Sequence, residues 1–222
     1  MLIKICGLTR QADAELAESL GADFIGAILA GGLRNLTATA AIQVLGQRRH
    51  TVRRVAVFGS QSRTKIAELA DRLDLDVVQL HGDPSADDIH WLNERVTATV
   101  WPVVRVDGST LPAGTFEVAE AAGAVLLDAK VVGQLGGTGV ALHWAELRGG
   151  VQRLRDQVPY LRIILAGGLR TSNLQNARAM LAPEVVDVSS GVETAPGIKD
   201  AVALEAFIKA GRTTVQNTGH ES

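Results

Sequence analysis

Apolar residues in this chain gather into short runs, separated by stretches in which they recur every three or four positions. The runs are Leu2 to Cys6, Phe24 to Leu29, Val52 to Phe58, Val77 to Leu80, Ala98 to Val104, Ala124 to Leu127, Leu161 to Leu165 and Val185 to Val188, and each predicts a strand. The intervening spacing predicts helices over Arg10 to Leu20, Ala38 to Leu45, Thr64 to Leu73, Ser85 to Glu94, Phe116 to Ala121, Trp144 to Gln157, Ser172 to Leu181 and Ala201 to Ala210. Ile66, Leu69, Ala70 and Leu73 fall on one face of the third helix. Gly21 suits the end of the first helix, Thr37 the N-cap of the second and Pro84 the start of the fourth, while Gly149-Gly150 is expected to interrupt the sixth.

Several strands are apolar without alternation, as expected where both faces of a sheet are covered. Strict strand–helix alternation yields either an open doubly wound sheet or a closed barrel. Eight units with glycine- or serine-rich loops after strands six to eight favour an α/β single-domain (β/α)8 TIM barrel over residues 1–210, followed by a polar tail, 211–222, expected to be disordered.

Composition narrows the function classes. With 46% hydrophobic and 21% charged residues and a formal net charge of -2, nothing draws the protein to nucleic acid; Arg48-Arg49 and Arg53-Arg54 read as a solvated helix end and the start of a strand. Cys6 is the only cysteine, which excludes an internal disulfide and argues against structural zinc. The first apolar run is too short for a signal sequence and no later one reaches span length, so the expectation is a cytoplasmic protein without membrane contact. A closed barrel has no free strand edge, leaving monomer and homodimer both open.

In parallel barrels the residues at the carboxyl ends of the strands face the active site, and loops after strands seven and eight hold phosphate. Cys6 closes the first strand and Asp128 the sixth, on opposite sides of the ring, where a thiol and a carboxyl can serve as base and acid across a small substrate. Taken singly, a lone cysteine such as Cys6 is more usually a small buried hydrophobe, and Asp128 is as well suited to a cap or salt bridge. His81 also lies at a strand end, suited either to substrate or to a backbone hydrogen bond, and Arg34 follows the second strand, where it could grip a carboxylate or remain on the surface. Three late loops offer backbone N–H groups to an anion: Gly136-Gly137-Thr138-Gly139, Ala166-Gly167-Gly168 and Ser189-Ser190-Gly191. The substrate-contact candidates are therefore Arg34, His81, Gly137, Gly139, Gly167, Gly168, Ser189, Ser190 and Gly191.

The motifs Lys4-Ile5-Cys6-Gly7-Leu8-Thr9, Val77-Val78-Gln79-Leu80-His81-Gly82, Leu126-Leu127-Asp128, Gly136-Gly137-Thr138-Gly139, Ile164-Leu165-Ala166-Gly167-Gly168-Leu169, Asp187 to Glu193 and Pro196-Gly197-Ile198-Lys199-Asp200 come in one order over nearly the whole chain. In this the sequence resembles the phosphoribosylanthranilate isomerases of tryptophan biosynthesis. The resemblance implies a cofactor-free Amadori rearrangement of a phosphorylated ribosyl substrate, with Cys6 as general base, Asp128 as general acid and Arg34 on the anthranilate carboxylate. The sequence departs from the family's pattern at Gly32-Leu33-Arg34, where a Ser-Pro-Arg run is usual, at Pro102, where a lysine is common, and at His143-Trp144, where Asp-Trp is common. These departures keep two further readings in view: a barrel that isomerises another aminosugar phosphate, and a phosphate-ligand-binding barrel without catalysis.

Overall fold

The computed structural model describes residues 1–47, 51–129 and 143–213. Eight parallel strands close into a barrel in sequence order: β1 (Leu2–Ile5), β2 (Phe24–Ile28), β3 (Arg53–Phe58), β4 (Val77–Leu80), β5 (Thr99–Val106), β6 (Ala124–Ala129), β7 (Arg162–Leu165) and β8 (Val185–Val188). Between and after them run α1 (Gln11–Ser19), α2 (Ala38–Leu45), α3 (Arg63–Arg72), α4 (Ala86–Asn93), α5 (Thr115–Ala122), α6 (Trp144–Gln157), α7 (Leu174–Leu181) and α8 (Ala201–Arg212). The barrel closes through β1 and β8, whose register pairs Lys4 with Asp187. The fold expected from the periodicity is the fold observed.

The helix starts follow local chemistry. Thr37, Ser62, Ser85 and Asp200 each accept a backbone N–H at the head of a helix, and Ser85 forms a reciprocal capping box with Asp88. Most bounds shift by one or two residues from expectation, as for β5, β6 and α7, and two differences have a visible packing reason. α6 runs unbroken through Gly149-Gly150, because the Leu111 side chain lies against Gly150 where a larger residue would sit. α8 continues to Arg212, two residues past its expected end, since Gly211 is seated against Ile3 of β1 and Arg212 reaches the Gly21 carbonyl and Asp23. The loop carrying Gly137 and Gly139, the pair Arg48-Arg49 and residues 214–222 lie outside the described residues.

Two apolar layers hold the barrel. Ile3, Ile5, Ala27, Phe58, Val78, Leu127 and Ile163 face outward against the helices. Phe24, Val55, Val77, Trp101, Val103, Leu126, Ile164 and Val185 fill the interior, with Phe24 and Trp101 meeting edge to face at 5.0 Å between ring centres. This plug occupies the amino-terminal part of the barrel. On most strands the next inward residue toward the carboxyl end is polar or small (Lys4, Gly26, Gln79, Arg105, Asp128, Ala166 and Asp187), whereas β3 keeps Val57 and β2 reaches Ile28, so the cavity floor is mixed. Among the described residues, no helix is long and apolar enough to cross a membrane.

Candidate active site

Above the plug opens a cavity of about 690 Å³ at the carboxyl ends of the strands. Cys6, His81 and Asp128 all line it, as do Arg34, Gly167, Gly168, Ser189, Ser190 and Gly191. Residues that are remote in sequence therefore converge as expected on one rim. β1 and β6 are three strands apart around the ring rather than diametrically opposed, so the thiol and the carboxyl face each other obliquely, flanking the loops after β7 and β8.

Asp128 is buried, and its Oδ1 accepts the Ala129 N–H at 2.9 Å. Burial, reinforced by the negative charge of Asp187, raises its pKa to about 6, which makes it a usable proton donor near neutrality. Burial also pushes the Cys6 thiol up, with Asp187 adding to the rise, while the ammonium groups of Lys4 and Lys199 oppose it. His81 is pushed down by burial and by Arg105, so it is neutral at pH 7. Its backbone N–H donates to Phe58 at 2.7 Å, and its Nε2 finds no partner among the described residues. Gln79 Oε1, Asp187 Oδ1 and Ser189 Oγ are also buried without partners among the described residues. Unpaired buried polar atoms are costly, and their convergence on one cavity marks where a polar ligand would satisfy them.

The two described phosphate-loop candidates owe their shape to glycine. Gly167 and Gly168 adopt φ of 81° and 63°, a left-handed turn that tips the backbone over the cavity. At Gly191 any Cβ would fall on the Leu169 carbonyl oxygen, so the loops after β7 and β8 touch only because this position lacks a side chain.

Arg34 has a partner of its own. Its Nε lies 2.9 Å from Glu193 Oε1 and its Nη2 2.6 Å from Glu193 Oε2, a two-point grip on a carboxylate of the same chain. Glu193 begins β9 (Glu193–Ala195), which pairs antiparallel with β10 (Ile198–Lys199) in a small hairpin absent from the sequence reading. Lys199 Nζ, fully buried as a side chain, sits 2.8 Å from Glu193 Oε1, 2.6 Å from the Cys6 carbonyl oxygen and 3.1 Å from that of Ser189. One ammonium thus ties the loop after β1 to the loop after β8. Burial opposes the charge on Glu193, but Arg34 and Lys199 outweigh it and hold the carboxyl below its ordinary range.

Lys4, Gln79, Asp187, Glu193 and Lys199 were not singled out by the sequence reading. Lys4, Gln79 and Asp187 carry a signal: each is polar within an apolar strand and stands two positions before Cys6, His81 or Ser189, hence on the same inward face. Glu193 and Lys199 carry none, since their meeting depends on the hairpin. The departures at Pro102 and His143 fall outside the cavity: Trp101 and Val103 are the inward residues of β5, and His143 borders a separate cleft with Trp144, Asn176 and Met180. Among the described residues, no three His, Cys, Asp or Glu side chains converge as a metal site.

This fold and site define a (βα)8-barrel enzyme working at the carboxyl-end mouth of the barrel. The family model for N-(5'-phosphoribosyl)anthranilate (PRA) isomerase matches residues 3–210, and the chain belongs to that family. It is 36% identical over 211 residues to the N-(5'-phosphoribosyl)anthranilate isomerase of Pseudomonas fluorescens, covering 94% of this chain and 97% of the relative. Its fold superposes on the phosphoribosyl anthranilate isomerase of Thermus thermophilus with a TM-score of 0.78 at 33% identity, over 95% of this chain and 98% of the other. A further solved phosphoribosyl anthranilate isomerase, 29% identical with a TM-score of 0.75 over 95% and 97% of the two chains, is bound to reduced 1-(o-carboxyphenylamino)-1-deoxyribulose 5-phosphate.

Proposed function

We propose that the protein converts N-(5-phosphoribosyl)anthranilate to 1-(2-carboxyphenylamino)-1-deoxyribulose 5-phosphate, with Cys6 as general base and Asp128 as general acid. The observation that carries this reading is the convergence of that thiol and that raised-pKa carboxyl on one cavity, beneath loops that present backbone to an anion. Asp128 donates its proton to the furanose ring oxygen as the bond from that oxygen to C1′ breaks, and the substrate nitrogen's lone pair forms an iminium. The Cys6 thiolate then removes the proton from C2′, and the electrons of that C–H bond neutralise the iminium to give an enolamine. Proton transfer to C1′ and loss of the C2′ hydroxyl proton yield the ketone. The substrate's own nitrogen acts as electron sink, so the sequence of steps needs no further group.

The phosphate is assigned to Gly167, Gly168, Ser189, Ser190 and Gly191, where binding energy far from the reacting carbon orients C2′ toward the sulfur. A free thiol as base also suits a reducing compartment, which favours the cytoplasm. The closed barrel offers no strand edge for pairing, so the reading holds for monomer and homodimer alike.

Purified protein is expected to turn over N-(5-phosphoribosyl)anthranilate, to restore growth without tryptophan in a host lacking this isomerase, and to be inhibited competitively by inorganic phosphate. Turnover of a different aminosugar phosphate with none on this substrate would replace the reading. Inhibition by phosphate that is not competitive would remove the loops from the site.

Arg34 is assigned to the anthranilate carboxylate, with Glu193 holding one edge of its guanidinium in place. Arg34→Ala is expected to weaken substrate affinity by about 10- to 100-fold, the worth of a hydrogen bond to a charged group, with a much smaller effect on kcat. Unchanged product affinity, measured by calorimetry, would assign the carboxylate to another residue.

A further inference from the structure

An ammonium lies inside the barrel, beneath the cavity, and the proton transfers described above make no use of it. Lys4 is fully buried on β1, two residues before Cys6 and on the same inward face. Its Nζ sits 2.8 Å from Asp187 Oδ2 on the neighbouring strand. Taking two such ions out of water is costly, and apolar residues of similar volume commonly serve stability as well or better. The apolar plug just below shows that this barrel fills its interior that way elsewhere. The Lys4 position therefore calls for a reason other than packing.

Gly26 supplies the geometric clue. It is the inward residue of β2 next to this pair, and a Cβ there would lie 3.2 Å from Cys6 Sγ, 3.3 Å from Lys4 Cε and 3.4 Å from Lys4 Nζ. The sulfur and the ammonium thus border the same small space, which the missing side chain leaves to them. We infer that Lys4 is a positioning residue that stabilises the Cys6 thiolate as it forms, with Asp187 as the counter-charge that keeps the ammonium in place and Gly26 as the gap that leaves the ammonium beside the sulfur.

The other charged groups around the sulfur are committed elsewhere. Lys199, from the hairpin, holds the Cys6 carbonyl oxygen and Glu193, and Arg34 from the loop after β2 is also tied to Glu193. Asp128 on β6 and His81 after β4 face the cavity as an acid and a neutral ring. Burial opposes the charge on Lys4, but Asp187 and then Cys6 outweigh it, so the lysine stays protonated and supplies the positive charge where the thiolate forms. Lys4 and Asp187 pull the thiol in opposite directions, the first down and the second up.

That opposition yields a test that general damage to the fold would not imitate. The inference rests on the reading of Cys6 as base, but thiolate absorbance in the ultraviolet can be titrated without substrate, and Cys6 is the only cysteine in the chain. Lys4→Met is expected to raise the thiol midpoint by about one to three pH units, the usual effect of removing a close opposite charge. Asp187→Asn is expected to lower it. The double variant Lys4→Met/Asp187→Asn, which leaves neither charge stranded, is expected to lie above Asp187→Asn by a similar interval and remains readable if Lys4→Met does not fold. In Lys4→Met, kcat/KM should fall by the same factor as the thiolate fraction, and its alkaline limb should move up with the thiol. A midpoint that stays put when Lys4 is replaced, or single variants that move it in the same direction, overturns the inference. Cys6→Ser with full turnover would instead remove the reading of Cys6 as base, whatever the titration shows.

Discussion

Asp128→Asn is expected to lower turnover by about two to four powers of ten, and at the same time to make the folded protein more stable at neutral pH. The first effect follows from its assigned role, since asparagine cannot deliver a proton to the ring oxygen. The second follows from burial. The carboxyl's pKa rises from 3.8 in the unfolded chain to about 6 in the fold, so above pH 4 the unfolded state sheds its proton while the folded state still holds one. This group's contribution to stability is present below pH 4 and is lost as the pH climbs through about 6. The interval of about two units corresponds to roughly 3 kcal/mol, at about 1.4 kcal/mol per unit. Asparagine removes the ionisation, so denaturant midpoints should rise by up to about that free energy at pH 7 and converge with the unaltered protein near pH 4. Near-normal turnover would reject the acid assignment. Lost stability at neutral pH would reject the account of burial.

Cys6→Ser is expected to cost a comparable two to four powers of ten, because a serine hydroxyl is far weaker as a base precursor than a thiol. The pH profile of the unaltered enzyme carries the more specific signature. In the assigned roles the productive form has Asp128 protonated and Cys6 ionised, whereas the two shifts favour the reverse, with the carboxyl at about 6 and the thiol above its ordinary value. Below pH 6 both groups are protonated, and the productive form falls tenfold per unit. Between the two values it is a constant minority, because gaining the thiolate and losing the acid cancel. Above the thiol value both are ionised and it falls again. The expected kcat/KM is therefore flat from about pH 6 up to the raised thiol value, with Asp128 setting the acid limb. In Asp128→Asn only the thiol remains, and the flat region should become a rise of tenfold per pH unit. A substrate phosphate ionising near pH 6 would leave its mark on both profiles, so the change between them isolates Asp128. A plateau that survives in the variant would remove Asp128 from the acid limb.

The fold was legible in the sequence because its cause is local. Continuous apolar runs alternating with helical spacing leave few arrangements other than a parallel sheet covered by helices, and eight such units suffice to close it. The helix ends at Gly21 and Thr37 were readable for the same reason, since a cap is decided within a few residues. Gly149-Gly150 was misjudged as a break, because the contact with Leu111 that fills the space comes from a distant part of the chain.

Strand ends likewise placed Cys6, His81 and Asp128 on one rim from sequence alone, for in a parallel barrel chain direction fixes which ends meet. What the side chains there encounter was decided only by the tertiary structure. Lys4 meets Asp187 across a separation of 183 residues, Arg34 meets Glu193 across 159, and Lys199 reaches the Cys6 carbonyl across 193. Charge on a buried group depends on distance, burial and the sign of its neighbours, and none of these is a property of a residue's position along the chain. The sequence by itself determined the barrel and which residues reach its mouth. Closure of the ring between β1 and β8 decided which ions lie beneath the sulfur and how firmly each proton is held.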